Sequence, residues 1–234
     1  VNQAQAEVYK VASQSSREDY VGLSESLEAA IHEIEVAQNR GGEMTGISTG
    51  FTDLDSYTHG LHPGQLVIVA ARPAVGKSTF ALDIARNAAV KQNKATIFFS
   101  LEMGRAEIAM RMLSAESSIY LQSMRKGTIS EGDWTKLAAV RGKINDAPLY
   151  IDDSPNMSLV EIRAKCRRLA QQVDLKMVVI DYIQLMSSGK KVESRQQEVS
   201  EFSRALKLLA KELGIPVVAL SQLNRQAEPA KDKR

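Results

Sequence analysis

Leu66-Val67-Ile68-Val69-Ala70-Ala71-Arg72-Pro73-Ala74-Val75-Gly76-Lys77-Ser78 is the stretch on which the fold turns. An apolar run without polar alternation ends in a short loop, and Gly76-Lys77-Ser78-Thr79 opens a helical pattern. Strand, loop, Gly-Lys-Ser and helix in that order make a phosphate-binding loop. Backbone N–H groups and the positive end of a helix cradle phosphate oxygens. Ala74, Gly76, Lys77, Ser78 and Thr79 are therefore the expected nucleotide contacts. Lys77 is expected to reach the β- and γ-phosphates of ATP, and Ser78 to offer a hard oxygen to Mg²⁺. One position departs from the G-x-x-x-x-G-K-[ST] pattern, because its first glycine is Ala71. A Cβ there demands an ordinary φ, so the loop entrance must differ from the glycine form. The alternative is a chance Gly-Lys-Ser on a turn, which leaves the strand before it and the helix after it unaccounted for.

Outward from this loop, short apolar runs recur at Leu66–Ala71, Ala95–Ser100, Leu149–Asp152, Met177–Asp181 and Ile215–Ser221. Helical patterns lie between them, near 77–92, 104–118, 130–145, 158–174 and 195–213. Continuous apolar strands are those of a sheet covered on both faces, and strand–helix alternation means parallel strands with crossover helices. The expectation is an α/β fold with a mostly parallel sheet and helices on both faces. Ligands of such sheets sit at the C-terminal ends of the strands, which directs attention to what stands there. Met177-Val178-Val179-Ile180 ends in Asp181, placed to hold Mg²⁺ opposite Ser78; a helix cap or turn residue is the alternative. Thr96-Ile97-Phe98-Phe99-Ser100 runs into Leu101-Glu102-Met103, where Glu102 can polarise an attacking water or serve as an acid at a helix N-terminus. Val217-Val218-Ala219-Leu220 ends in Ser221-Gln222, an amide able to contact the γ-phosphate. Lys77, Glu102 and Gln222 are the candidate catalytic residues.

Of the 234 residues, 44% are apolar and 5% aromatic, so the core must be built mostly from aliphatic side chains. The formal charge of +2 is too near neutral to argue nucleic acid from the total. Contact with DNA has to come from local basic segments. Ser187-Ser188-Gly189-Lys190-Lys191-Val192-Glu193-Ser194-Arg195 leaves the sheet edge after Asp181. Its Lys190, Lys191 and Arg195 suit phosphate contacts without sequence readout, and a solvated loop is the alternative. A second basic run, Arg163 to Arg168, is expected on the outer face of a crossover helix. The single cysteine, Cys166, cannot form an internal disulfide, which fits a reducing, cytoplasmic setting. It is expected to be a small buried residue rather than a reactive thiol. No apolar run approaches the roughly 20 residues that span a bilayer, and no signal peptide is visible. Ala4, Val8 and Val11 mark one amphipathic helix, and Leu23, Leu27, Ala30, Ile31 and Ile34 a second, ending near Arg40-Gly41-Gly42. Residues 1–43 are thus expected to be a helical arm and residues 44–234 the main domain. The absence of an initial Met suggests a piece of a longer protein.

Several phrases, in order and at matching distances, resemble the bacterial replicative helicase family DnaB. They are Thr49-Gly50-Phe51-Thr52-Asp53-Leu54-Asp55, Ala71–Ser78, Ser100-Leu101-Glu102-Met103, Ile180-Asp181-Tyr182-Ile183-Gln184-Leu185-Met186, Arg195-Gln196-Gln197-Glu198-Val199-Ser200 and Ser221-Gln222-Leu223-Asn224-Arg225. The Ala-Arg-Pro form of the phosphate loop is itself usual in that family. The resemblance implies a RecA-like fold and a homohexameric ring. ATP with Mg²⁺ would lie between neighbours, single-stranded DNA would pass through the centre, and unwinding would run 5′ to 3′. It implies that Lys77, Ser78 and Asp181 serve the nucleotide and metal, Glu102 is the catalytic carboxylate, Gln222 the γ-phosphate sensor, and Arg111 a residue near the nucleotide. Residues 1–20 resemble the end of the family's linker. A primase and a helicase loader would be partners through the full-length protein. The rest of the central DNA loop and an arginine finger lie, in that family, beyond the position of Arg234, so the domain is expected to be C-terminally incomplete and a weak ATPase alone. A DNA-dependent recombinase ATPase and a nucleotide-gated scaffold with little turnover stand as the alternatives.

Overall fold

The computed structural model describes residues 22–39, 44–186 and 195–223. The chain divides into two compact units, Val1–Glu43 and Met44–Arg234. In the first, α1 (Leu23–Asn39) carries Leu23, Leu27, Ile31 and Ile34 as an apolar stripe, each more than half exposed. The helix expected on Ala4, Val8 and Val11, and the stop at Arg40-Gly41-Gly42, lie outside the described residues.

The second unit is built on five parallel strands: β1 (Leu66–Ala71), β2 (Ala95–Ser100), β3 (Leu149–Asp152), β4 (Leu175–Asp181) and β5 (Val217–Gln222). Their order is β1-β5-β4-β2-β3. Two boundaries differ from the expectation. β4 starts at Leu175, because Lys176 interrupts the apolar run while buried Leu175 still pairs with Ala95. β5 starts after Pro216, which has no N–H for the ladder, and extends to Gln222.

Successive strand residues face opposite layers. On one face Ile97, Phe99, Val178, Ile180, Val217 and Ala219 pack with Ile162 and Cys166 of α7 (Leu159–Gln172) and Phe202 and Leu206 of α8 (Arg195–Leu213). On the other, Phe98, Met177, Val179, Val218 and Leu220 meet Ala81, Leu82 and Ala85 of α3 (Lys77–Arg86) and Ile108 and Met112 of α4 (Arg105–Ser117). Each fully buried large aliphatic contributes about 1.5–3 kcal/mol, so this double cover holds the strand tips in place. Burial pushes the Cys166 thiol up to about 12, leaving it uncharged and inert at neutral pH. In α7, Arg163 and Arg167 both pair with Glu212 of α8, so part of the second basic run ties two helices together.

Three shorter or exposed helices complete the unit: α2 (Thr52–Thr58), α5 (Leu121–Lys126) and α6 (Glu131–Asn145). α2 and α5 were not expected, since six or seven residues hold too few turns to show a period. α6 and α7 open on capping boxes, Ser130 with Asp133 and Ser158 with Glu161. α3 passes into a π-helical turn, Asn87–Lys91, where the expectation was one helix over 77–92. That turn brings Asn87 and Gln92 onto the Ser48 carbonyl, each donating at 2.9 Å. Phe51 stacks on Phe80 with ring centroids 4.7 Å apart. The segment before β1 thereby braces both ends of α3.

Candidate nucleotide site

Gly76 lies at φ 103, and a Cβ there would meet nothing within 4 Å. Glycine is required by the left-handed backbone and not by crowding. Ala74 takes φ 64 in the same loop, while Ala71 closes β1 with ordinary strand geometry. The missing first glycine thus costs the loop nothing, because the turn begins after Ala71.

Lys77, the first residue of α3, is buried. Its Nζ lies 3.0 Å from Asp181 Oδ1 and 3.3 Å from Glu102 Oε2. It also sits 4.1 Å from the centroid of the Tyr182 ring. Three strand ends thus meet at one ammonium: β1 through the loop, β2 through Glu102 and β4 through Asp181. Asp181 is fully buried, and its Oδ2 has no hydrogen-bond partner, alone in this among the buried side-chain N and O atoms of the described residues. A buried carboxylate oxygen left unsatisfied is costly unless a cation or water meets it. Glu102 is not a helix cap: α4 begins at Arg105 behind Gly104, and the acid in its first turn is Glu107. Glu102 is instead half-exposed and faces Lys77.

Lys77 and Glu102 border a cleft of about 480 Å³, and Asp181 lies buried beneath Lys77. Ala74, Gly76, Lys77, Ser78, Thr79, Glu102, Arg111 and Gln222 all line it. Arg111 Nη1 donates to Thr79 Oγ1 at 3.4 Å, and its Nη2 to Glu107 Oε1 at 2.8 Å. The Arg111 and Arg125 guanidiniums hold the Glu107 carboxyl below its usual range. Of the residues expected to touch DNA, Lys190 and Lys191 lie outside the described residues; Arg195 begins α8, and its side chain is likewise outside them.

Sequence reasoning missed Tyr182, Glu107 and the part played by Gln184. Glu107 had a legible signal, an acid four residues before Arg111 on a helix. Tyr182 and Gln184 had none beyond following Asp181.

Residues 46–234 match the family model of the DnaB-like helicase C-terminal domain. The chain belongs to this family. Among curated DnaB relatives, it is 70% identical to the replicative DNA helicase DnaB of Leifsonia xyli, and 48% to that of Geobacillus stearothermophilus, in each case over the whole of this chain. The chain spans 51% and 52% of their lengths, about half of each. Among solved structures, one ATPase domain is 38% identical with a TM-score of 0.83, covering 92% of this chain and 76% of that one. A DnaB-like replicative helicase described together with its interactions with primase is 34% identical with a TM-score of 0.81, covering all of this chain and 56% of that one. The α/β unit is thus a DnaB-like helicase C-terminal domain. No described helix is long and apolar enough to cross a membrane.

Proposed function

We propose that this chain is the ATP-driven motor of a replicative DNA helicase, and that its cleft binds and hydrolyses ATP to move single-stranded DNA. The convergence of Lys77, Glu102 and Asp181 on one point of the sheet edge carries this reading. Lys77 leaves the two carboxylates for the β- and γ-phosphates, and the loop amides after Ala74 hold the remaining oxygens. Asp181 and the Ser78 hydroxyl fit Mg²⁺. One carboxylate and one hydroxyl, completed by phosphate and water oxygens, suit that ion, and the described residues hold no cluster of three metal-ligating side chains. Mg²⁺ held by Ser78 and Asp181 would supply positive charge against the phosphate oxygens. Released from Lys77, Glu102 orients the attacking water and takes its proton. Gln222 contacts the γ-phosphate from β5, and Arg111 approaches the nucleotide beside Thr79.

The acting assembly is a homohexameric ring with ATP between neighbours, and single-stranded DNA meets Lys190, Lys191 and Arg195. Primase and a helicase loader meet the longer protein, which works in the cytoplasm. The test is titration of the chain with ATP·Mg²⁺, and turnover with and without single-stranded DNA. The expected result is ATP binding with weak turnover that single-stranded DNA raises little, and Lys77→Ala abolishing both binding and turnover. Unchanged ATP affinity in Lys77→Ala would sink the phosphate-loop assignment.

A further inference from the structure

Strands β4 and β5 pair from Val178↔Val217 through Ile180↔Ala219, and there their ladder stops. β5 continues for three more residues against β1 alone, to Ala71↔Gln222. On the side that β4 has left, a side chain takes over. Gln184, in the 3₁₀ turn Ile183–Leu185, accepts from the Gln222 N–H through Oε1 at 3.1 Å. Its Nε2 donates to the Gln222 carbonyl at 3.1 Å and to Ser221 Oγ at 2.8 Å. One amide thus pairs both backbone groups of Gln222, which a continued parallel β4 would meet through two successive flanking residues. On the other side the Leu223 N–H donates to the Ala71 carbonyl at 3.0 Å. The backbone around Gln222 is clamped between the entrance of the phosphate loop and the turn that follows Asp181, while Gln222 itself lines the cleft.

We propose that Gln184 is a positioning residue for nucleotide discrimination: by clasping the Gln222 backbone it aims the Gln222 amide at the terminal phosphate, so that the chain distinguishes ATP from ADP. The proposal rests on the cleft being the ATP site. Gln184 does not line the cleft, so it acts through Gln222. Side-chain amides tolerate small rotations of the backbone poorly when they must meet one phosphate oxygen, since a hydrogen bond weakens steeply with misalignment.

The test measures dissociation constants of the chain for Mg²⁺·ADP and for a non-hydrolysable Mg²⁺·ATP analogue. Four proteins are compared: native, Gln184→Met, Gln222→Ala and the double variant. Methionine keeps the length of Gln184 and removes its three hydrogen bonds to β5. The expected result is unchanged ADP affinity, with triphosphate preference falling roughly tenfold, the scale of a lost bond to a charged group. Gln222→Ala should lower it as far, and the double variant no further. An unchanged preference in Gln184→Met, or a loss that persists undiminished on top of Gln222→Ala, overturns the proposal. Should Gln184→Met not fold, Gln184→Glu, which loses the donors and keeps the acceptor, is judged by the same two outcomes. A native chain that binds neither nucleotide removes the ATP reading itself, and this inference with it.

Discussion

Lys77 and Asp181 form an ion pair that is nearly water-free, with side-chain exposures of 8% and 0%. Breaking a buried pair by deleting one partner costs about 3–5 kcal/mol, because the other charge is left without compensation. Lys77→Ala should therefore destabilise the nucleotide-free chain by that order, and Asp181→Asn added to it should restore much of the loss without restoring ATP binding. Chemical denaturation and nucleotide titration of the three variants check this. If the double variant is no more stable than Lys77→Ala, the pair does not hold the site in the way the distances imply. Glu102 behaves differently, being 53% exposed and so largely solvated. Its removal frees Lys77 for phosphate. In a full-length version, Glu102→Gln should leave ATP affinity the same or slightly tighter while kcat falls roughly a hundredfold, as expected for a general base. A kcat within about threefold of native would show that the proton is taken elsewhere.

At the scale of elements, Asp55 of α2 secures the segment that braces α3. It is buried, and accepts from Ser48 Oγ at 2.7 Å, Thr49 N and Thr49 Oγ1 at 2.8 Å, and Gly50 N at 3.2 Å. Burial alone would raise its pKa, but the bonds from Ser48, Thr49 and Gly50 hold it below the ordinary value of 3.8. For a carboxyl depressed in the folded state, the added stability is fully present above that ordinary value. It is lost as pH falls through the folded one. Asp55→Asn should cost about 1–3 kcal/mol at neutral pH. The gap to the native chain should narrow once acid protonates Asp55. Urea midpoints of both proteins from pH 7 to pH 3 test this, and a gap that widens in acid would have the sign wrong. The helices expected near 130–145 and 158–174 begin on Ser130 and Ser158, whose capping boxes are local signals that the periodicity alone did not use. The sequence did not show α2, which spans seven residues, has no side-chain cap bond at its start and is anchored by Asp55 to the loop just before it.

For the whole molecule, the sheet edge brings the ends of β1, β2 and β5 to one cleft, with the tip of β4 buried beside Lys77. Native mass measurement with ATP·Mg²⁺ should find a hexamer whose population rises with nucleotide. A single-subunit mass under all conditions would overturn the ring. If Lys190, Lys191 and Arg195 each neutralise one phosphate, replacing all three with Ala should lower the salt slope of single-stranded DNA binding by about 2, at roughly 0.7 per contact. An unchanged slope would place the DNA contacts elsewhere.

Much of the fold and of the site was legible because its signals are local. Leu66 to Ser78 announces strand, loop and helix within thirteen residues, and β4 advertises its tip by ending an apolar run in Asp181. The exact ends of β4 and β5 were less legible, since Lys176 and Pro216 disturb the apolar runs there. The order β1-β5-β4-β2-β3 could not be read, because backbone hydrogen bonds carry no label for their partner strand. Nor could the sequence exclude a helix cap for Glu102; that follows from a helix that begins only at Arg105 and from the 3.3 Å approach to Lys77 across 25 residues of chain. The Lys77–Asp181 pair, 104 residues apart, exists because the sheet sets their strand ends side by side. Gln184 is the plainest case. Its amide completes β5 where β4 runs out, and only the packed sheet creates that vacancy.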